Sequence, residues 1–232
     1  MKRLKKWTKS LIELFFPRYC AVCGKRLEAD EQALCIHCLT KLPRTNYHLW
    51  RDNPVDKLFW GKFPLGRATA WIFYNRKTPF AHMIHHFKYK GRKTLAVSLG
   101  KMMANEILPS GFFNDIDYII PIPLHTKRLR QRGYNQSTCL ASGIQDIVGI
   151  PVLEGMVIRA RYTETQTRKN ANDRRENVHD VFQLTERDKL KGKHVLIVDD
   201  VLTTSATITA CADILKNITG IRISVLTLAV AM

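Results

Sequence analysis

Apolar and polar positions along this chain follow two periods, and the changes between them mark its elements. HVLIVDD (194–200) is a continuous apolar run that stops on two aspartates. Its length and lack of alternation predict a strand buried on both faces. IDYIIPIP (116–123) predicts a second strand ended by prolines, ATAWIFY (68–74) a third, and IRISVLTLAVA (221–231) a last one. STCLASGIQDIV (137–148) and TSATITACADILKNITG (204–220) have helical spacing instead, and Gly220 closes the second. Strands alternating with helices predict an α/β fold, a mainly parallel sheet covered by helices on both faces.

The amino-terminal end has its own pattern. Leu4, Trp7, Leu11, Leu14 and Phe15 make one helical stripe, Lys2, Arg3, Lys5, Lys6 and Lys9 cover much of the rest, and Pro17 ends the segment. Two readings compete for residues 1–18: a helix lying on an anionic membrane surface, or a helix docked on the body of the protein with its lysines solvated. The second is favoured. With 232 residues, one main domain plus a small module fits best. The boundaries expected are a basic amphipathic helix at 1–18, a cysteine module at 19–50 and the α/β domain at 51–232. No apolar run approaches the roughly 18–20 residues that span a bilayer.

Charge narrows the partners. Thirty-seven Lys and Arg against 20 Asp and Glu leave +17, which favours a polyanion: nucleic acid, anionic lipid or a phosphorylated metabolite. From Lys57 to Asn105 there is no acidic residue, and ten basic ones are interleaved with Trp60, Phe63, Trp71, Phe73, Tyr74, Phe80, Phe87 and Tyr89. Such a mixture can bind phosphates through Lys88, Lys90, Arg92 and Lys93 while rings stack on bases. The strand at 68–74 would hide about half of those rings, so exposed stacking is the minority reading. His82, His85 and His86 precede Lys88 and read as solvated or half-buried helix positions rather than ligands.

Six cysteines are present, four of them as Cys20-x2-Cys23 and Cys35-x2-Cys38. Two CxxC turns this close together predict one tetrahedral zinc with a structural role. His37 is a weaker substitute ligand, and Cys139 and Cys211 read as small packed side chains. A secretory signal is not evident, so the thiols are expected in a reducing cytoplasm.

The chemistry concentrates at VLIVDDVLTTSAT (195–207). A buried strand delivers Asp199 and Asp200 to its carboxyl end, and Thr203, Thr204, Ser205, Ala206 and Thr207 open a helix. Ligands of open α/β sheets bind at that edge, and a helix start offers N–H groups to phosphate. Carboxylates repel phosphate, so their partners would be sugar hydroxyls or a cation. The bland alternative is a strand whose aspartates only cap the following loop. Neither a GxxxxGK[ST] nor a GxGxxG loop is present.

This stretch resembles the phosphoribosyl-diphosphate (PRPP) loop of type I phosphoribosyltransferases, and the wider chain resembles the ComF family of competence-associated proteins. The likeness includes the four cysteines, FKYKGR (87–92), IPIPLHTKRLRQRGYNQS (120–137) and RARYTETQTRKNANDRRENVHDVF (159–182). It implies a type I phosphoribosyltransferase-like fold in which Thr203 to Thr207 hold the 5′-phosphate and Asp199 and Asp200 bind the ribose hydroxyls. Pro123 to Arg128 would lie near the pyrophosphate, and 159–177 would form a mobile loop over the site. Arg128, Arg130, Arg132, Tyr134 and Asn135 would bind phosphate or nucleic acid, or form an exposed basic helix end.

As partners and cofactors, the resemblance implies PRPP with Mg2+, structural zinc, single-stranded DNA and competence-machinery proteins. It implies a cytoplasmic role in natural transformation, with the inner face of the membrane as one option for residues 1–18. The alternative is an active transferase that releases pyrophosphate to an unidentified nucleobase or amine. Two departures bear on this. The family usually has Gly at Ser205, where Ser would cost about 1 kcal/mol in a left-handed turn. Hypoxanthine-type enzymes carry Asp at the position of Thr203, so a hypoxanthine or guanine acceptor is disfavoured, and no general base is evident.

Overall fold

The computed structural model describes residues 17–89, 92–159 and 182–231. The helix expected at 1–18 and the loop expected at 159–177 therefore lie outside the described residues, except Pro17, Arg18 and Arg159. Strands β1 (Leu65–Tyr74), β2 (Tyr118–Pro121), β5 (His194–Leu202) and β6 (Arg222–Ala231) form one parallel sheet in the order β1-β6-β5-β2. A small antiparallel pair, β3 (Val157–Arg159) and β4 (Phe182–Leu184), stands apart from it. The helices are α1 (Ile36–Thr40), α2 (Pro54–Lys57), α3 (Phe80–Tyr89), α4 (Lys93–Ile107), α5 (Thr126–Arg132), α6 (Gln136–Val148) and α7 (Ala206–Leu215).

Period-two alternation within the apolar strand separates the two faces of the sheet. Val195 and Ile197 of β5 pack with Ile208, Cys211 and Leu215 of α7, with Val55 of α2 and with Phe59 just after it. Leu196 and Val198 pack on the other face with Leu99 and Met103 of α4 and Leu140 and Ile144 of α6. Each such fully buried side chain contributes about 1.5–3 kcal/mol of transfer free energy. Ala33, Leu34 and Leu42 of the cysteine segment join this second cluster. Helices α4 and α6 touch through glycine. A Cβ at Gly143 would stand 2.1 Å from the Val97 carbonyl oxygen, and one at Gly100 2.3 Å from that of Leu140.

Several boundaries differ from the sequence reading: β1 starts at Leu65 and not at 68, since Leu65 already pairs with Ile223 of β6, and β2 keeps only Tyr118–Pro121 of 116–123. β5 continues past Asp200 because Val201 and Leu202 still pair with Ala229 and Val230 of β6. α7 is shorter than 204–220. Thr204 and Ser205 stay in the loop, while Arg187 donates to the Asn217 carbonyl at 2.6 Å and Gly192 to that of Thr219 at 2.9 Å. Past Leu215 the pairing tightens into turns: the Ile218 N–H donates to the Leu215 carbonyl at 2.9 Å, where an α-helix would pair it with Ile214. Of the aromatic residues at 60–80, Trp60 is exposed, Phe63 and Trp71 are buried, and Phe73, Tyr74 and Phe80 are half-buried. The described residues contain no helix long and apolar enough to cross a membrane.

Candidate functional site

The carboxyl ends of β2 and β5 lie side by side, since the Ile122 N–H donates to the Val198 carbonyl at 2.9 Å. Asp199 and Asp200 emerge there, both half-buried. Asn135 caps α6 by accepting the Ser137 N–H at 3.1 Å, and its Nδ2 donates to the Ile122 carbonyl at 2.9 Å. The start of α6 is thereby fixed to the end of β2. Ser137, only 4% exposed, then donates Oγ–H to Asp199 Oδ1 at 3.0 Å. The same oxygen accepts the Asp200 N–H at 2.8 Å, and Asp200 Oδ1 accepts the Val201 N–H at 2.6 Å. These hydrogen bonds fix the orientation of both carboxyl groups.

The hydroxyl loop follows directly. Thr203, Thr204 and Ala206 are exposed, and Ser205 and Thr207 are partly covered. Ser205 has φ −69° and ψ −6°, a right-handed conformation. The penalty expected for serine in a left-handed turn therefore does not arise. From the turn after α2, Lys62 Nζ donates to Ser205 Oγ at 2.7 Å.

On the other side, β3 brings Arg159 toward the carboxylates, its guanidinium 5.4 Å from the Phe182 ring centroid. Burial, and then the neighbouring Arg128, lower its pKa, while Asp199 acts in the opposite sense. A cavity of about 430 Å³ opens between β2, α5, α6 and β3, lined by Leu124, Tyr134, Asn135, Cys139, Glu154 and Arg159 among others. Its size suits a small ligand. Neither Asp199 and Asp200 nor Thr203 to Thr207 are on its walls. Burial, foremost, raises the Tyr134 hydroxyl pKa, with Asp200 acting in the same sense.

The other basic candidates fall on two elements. Arg92 and Lys93, at the start of α4, line a concavity of about 670 Å³ facing the cysteine segment, together with Arg18, Tyr19 and Lys101. Lys101 is paired with Asp146 at 2.9 Å, and Lys93 also lines the smaller cavity. Arg128, Arg130 and Arg132 lie on α5, where Arg132 donates to Gln136 Oε1 at 3.0 Å. Lys88 enters only as a position of α3, and Lys90 lies outside the described residues.

Cys20, Cys23, Cys35 and Cys38 come together, every sulfur within 4.8 Å of the others and Cys23 Sγ 3.7 Å from Cys35 Sγ. Around one tetrahedral zinc, bonds of about 2.3 Å would put sulfurs roughly 3.8 Å apart. The donor set fits. Burial works against ionising the Cys20 thiol, but the backbone amides of Cys23, Cys35 and Val22 outweigh it and bring the thiol down to about 7. Burial raises Cys35 and Cys38. His37 is exposed, Cys139 is half-buried and Cys211 is fully buried. His82 and His85 are exposed.

Ser137 and Lys62 have no role assigned by the motifs, and Arg159 has one only as the first residue of the loop expected at 159–177. Ser137 and Arg159 lie in segments that carry the family likeness, but nothing in the sequence pairs either with residue 199. Lys62 belongs to the acid-free stretch and has no marker of its own.

Residues 136–231 match the family model of the phosphoribosyl transferase domain. The DNA utilization protein YhgH of Escherichia coli strain K12 is 30% identical over 199 residues, 84% of this chain and 83% of that protein. Competence protein F of Haemophilus influenzae is 28% identical over 207 residues, 88% of this chain and 80% of its own length. A solved allosteric regulatory enzyme of purine biosynthesis aligns over 61% of this chain and 30% of its own, at 21% identity and a TM-score of 0.41.

Proposed function

The chain belongs to the ComF family, and from that premise we propose that it binds PRPP at the edge of β5 and takes part in DNA uptake by handling single-stranded DNA in the cytoplasm. One observation carries the PRPP reading. Asp199 and Asp200 are oriented at the carboxyl edge of a parallel sheet immediately before an exposed hydroxyl loop, inside the stretch that matches the phosphoribosyl transferase domain. Asp199 and Asp200 would accept hydrogen bonds from the ribose hydroxyls, and Thr203 to Thr207 would receive the 5′-phosphate. Mg2+ would arrive with the diphosphate and supply charge neutralisation there. Cys20, Cys23, Cys35 and Cys38 would hold zinc as a staple of the amino-terminal module. The names of the two relatives, one for DNA utilization and one for competence, support the DNA-uptake role.

The right-handed Ser205 favours a second reading, an active transferase, because the loop reaches its conformation without glycine. Calorimetry with PRPP and Mg2+, followed by a pyrophosphate-release assay with nucleobases, amines and oligonucleotides, separates the two. Binding without release supports a PRPP-binding DNA protein. Acceptor-dependent release establishes the transferase, and absence of PRPP binding overturns both.

A further inference from the structure

Lys62 lies outside the matched phosphoribosyl transferase segment, yet its ammonium group ends at the hydroxyl loop. The turn that carries it is fixed on both sides. Asn53 caps α2 by accepting the N–H groups of Val55 at 2.8 Å and Asp56 at 3.1 Å, and its Nδ2 donates to the Ala68 carbonyl of β1 at 2.9 Å. The Asp56 carboxylate accepts the Ala68 N–H. Phe59 and Phe63 are buried with ring centroids 5.5 Å apart, and the Lys62 N–H donates to the Phe59 carbonyl at 3.1 Å. Gly61, at φ +71°, provides the left-handed residue that reverses the chain between them.

From this base the Lys62 side chain passes the Phe59 ring, with Nζ 5.9 Å from its centroid, and reaches Ser205 Oγ at 2.7 Å. No carboxylate pairs with it among the described residues. An ammonium group has three donors, and a neutral hydroxyl occupies one of them less strongly than an anion would. Asp199 and Asp200 stand just ahead of the loop in sequence, and a cation on the loop would offset their repulsion of a phosphate there. Resting on the PRPP reading, we propose that Lys62 holds the 5′-phosphate of the bound ligand, so that the site selects pentose 5-phosphates over sugars lacking that group.

The experiment titrates ribose 5-phosphate, and PRPP with Mg2+, into the full chain and into Lys62→Ala, Lys62→Met and Lys62→Arg, with inorganic pyrophosphate as a competitor. Lys62→Met keeps the apolar stem over Phe59 should the alanine variant fold poorly. Removing the charge-assisted bond is expected to weaken ribose 5-phosphate about tenfold. Lys62→Arg should keep most of the affinity, and pyrophosphate competition should not change. Parent-like ribose 5-phosphate binding by Lys62→Ala or Lys62→Met overturns this role while leaving the PRPP reading intact. If the parent binds neither phosphorylated sugar, both fall.

Discussion

His194 shows how one side chain can set a condition for the whole sheet. It begins β5 at the end opposite the carboxylates, with Nε2 2.8 Å from Ser224 Oγ and Nδ1 2.8 Å from an Arg222 guanidinium nitrogen. Burial, and then Arg222, lower its pKa from the ordinary 6.5. The unfolded chain therefore takes up a proton as pH falls through about 6.5, while the folded histidine takes it up only at lower pH. Stability should fall on acidification across that window. The expected result is a urea midpoint that drops between pH 7.5 and 5.5 in the parent and drops less in His194→Gln. Equal slopes would show that His194 does not contribute. Asp117 acts lower on the scale. The His194 backbone N–H, then Lys193, hold its carboxyl below the usual 3.8, so its contribution disappears only in stronger acid. At this same scale the sequence was partly legible. Asp199 and Asp200 stood out because a fully apolar strand ends on them. The φ of Ser205 was invisible, because residue type limits a dihedral without fixing it.

Among the elements, the cysteine segment connects local chemistry to the shared core. Its two CxxC turns converge their sulfurs, while Leu34 and Leu42 pack in the cluster that includes Leu95 and Leu99 of α4. Cys35→Ser is expected to lower zinc content from one per chain, measured by elemental analysis, and to reduce Tm, because removing a structural metal withdraws its binding free energy from folding. Parent protein purified without chelators and free of zinc would contradict the assignment. Strands β5 and β6 were readable because continuous apolar runs need two covered faces. β3 and β4, three residues each, were not, since so short a pair has no period to detect. The end of α7 at Leu215, short of Gly220, was likewise not legible: the turn beyond it, with Arg187 and Gly192 on the Asn217 and Thr219 carbonyls, is assembled only in the folded chain.

At the scale of the whole molecule the charge is +17, and the basic side chains named among the described residues do not all gather at the carboxylate loop. Arg92 and Lys93 face one concavity, and Arg128, Arg130 and Arg132 lie along α5. Single-stranded DNA is therefore expected to bind with weak sequence preference and strong salt dependence. Replacing Lys88, Lys90, Arg92 and Lys93 with Ala should flatten the slope of log affinity against log salt by about 0.7 for each DNA phosphate no longer neutralised. An unchanged slope would move the DNA site elsewhere. The parallel sheet, with the two aspartates at its carboxyl edge, was legible in the sequence because topology follows from strand–helix alternation. The approach of Ser137, Arg159 and Lys62 to that edge was not, since each comes from a different element. The central claim is that this edge binds PRPP through its aspartates, and its most direct test is a calorimetric titration of PRPP with Mg2+ into the parent and the Asp199→Ala/Asp200→Ala variant. Each charge-assisted bond removed should cost about 1.5–3 kcal/mol, so the parent should bind and the variant should not, with circular dichroism unchanged. A parent that fails to bind, or a folded double variant that binds as the parent does, would contradict it.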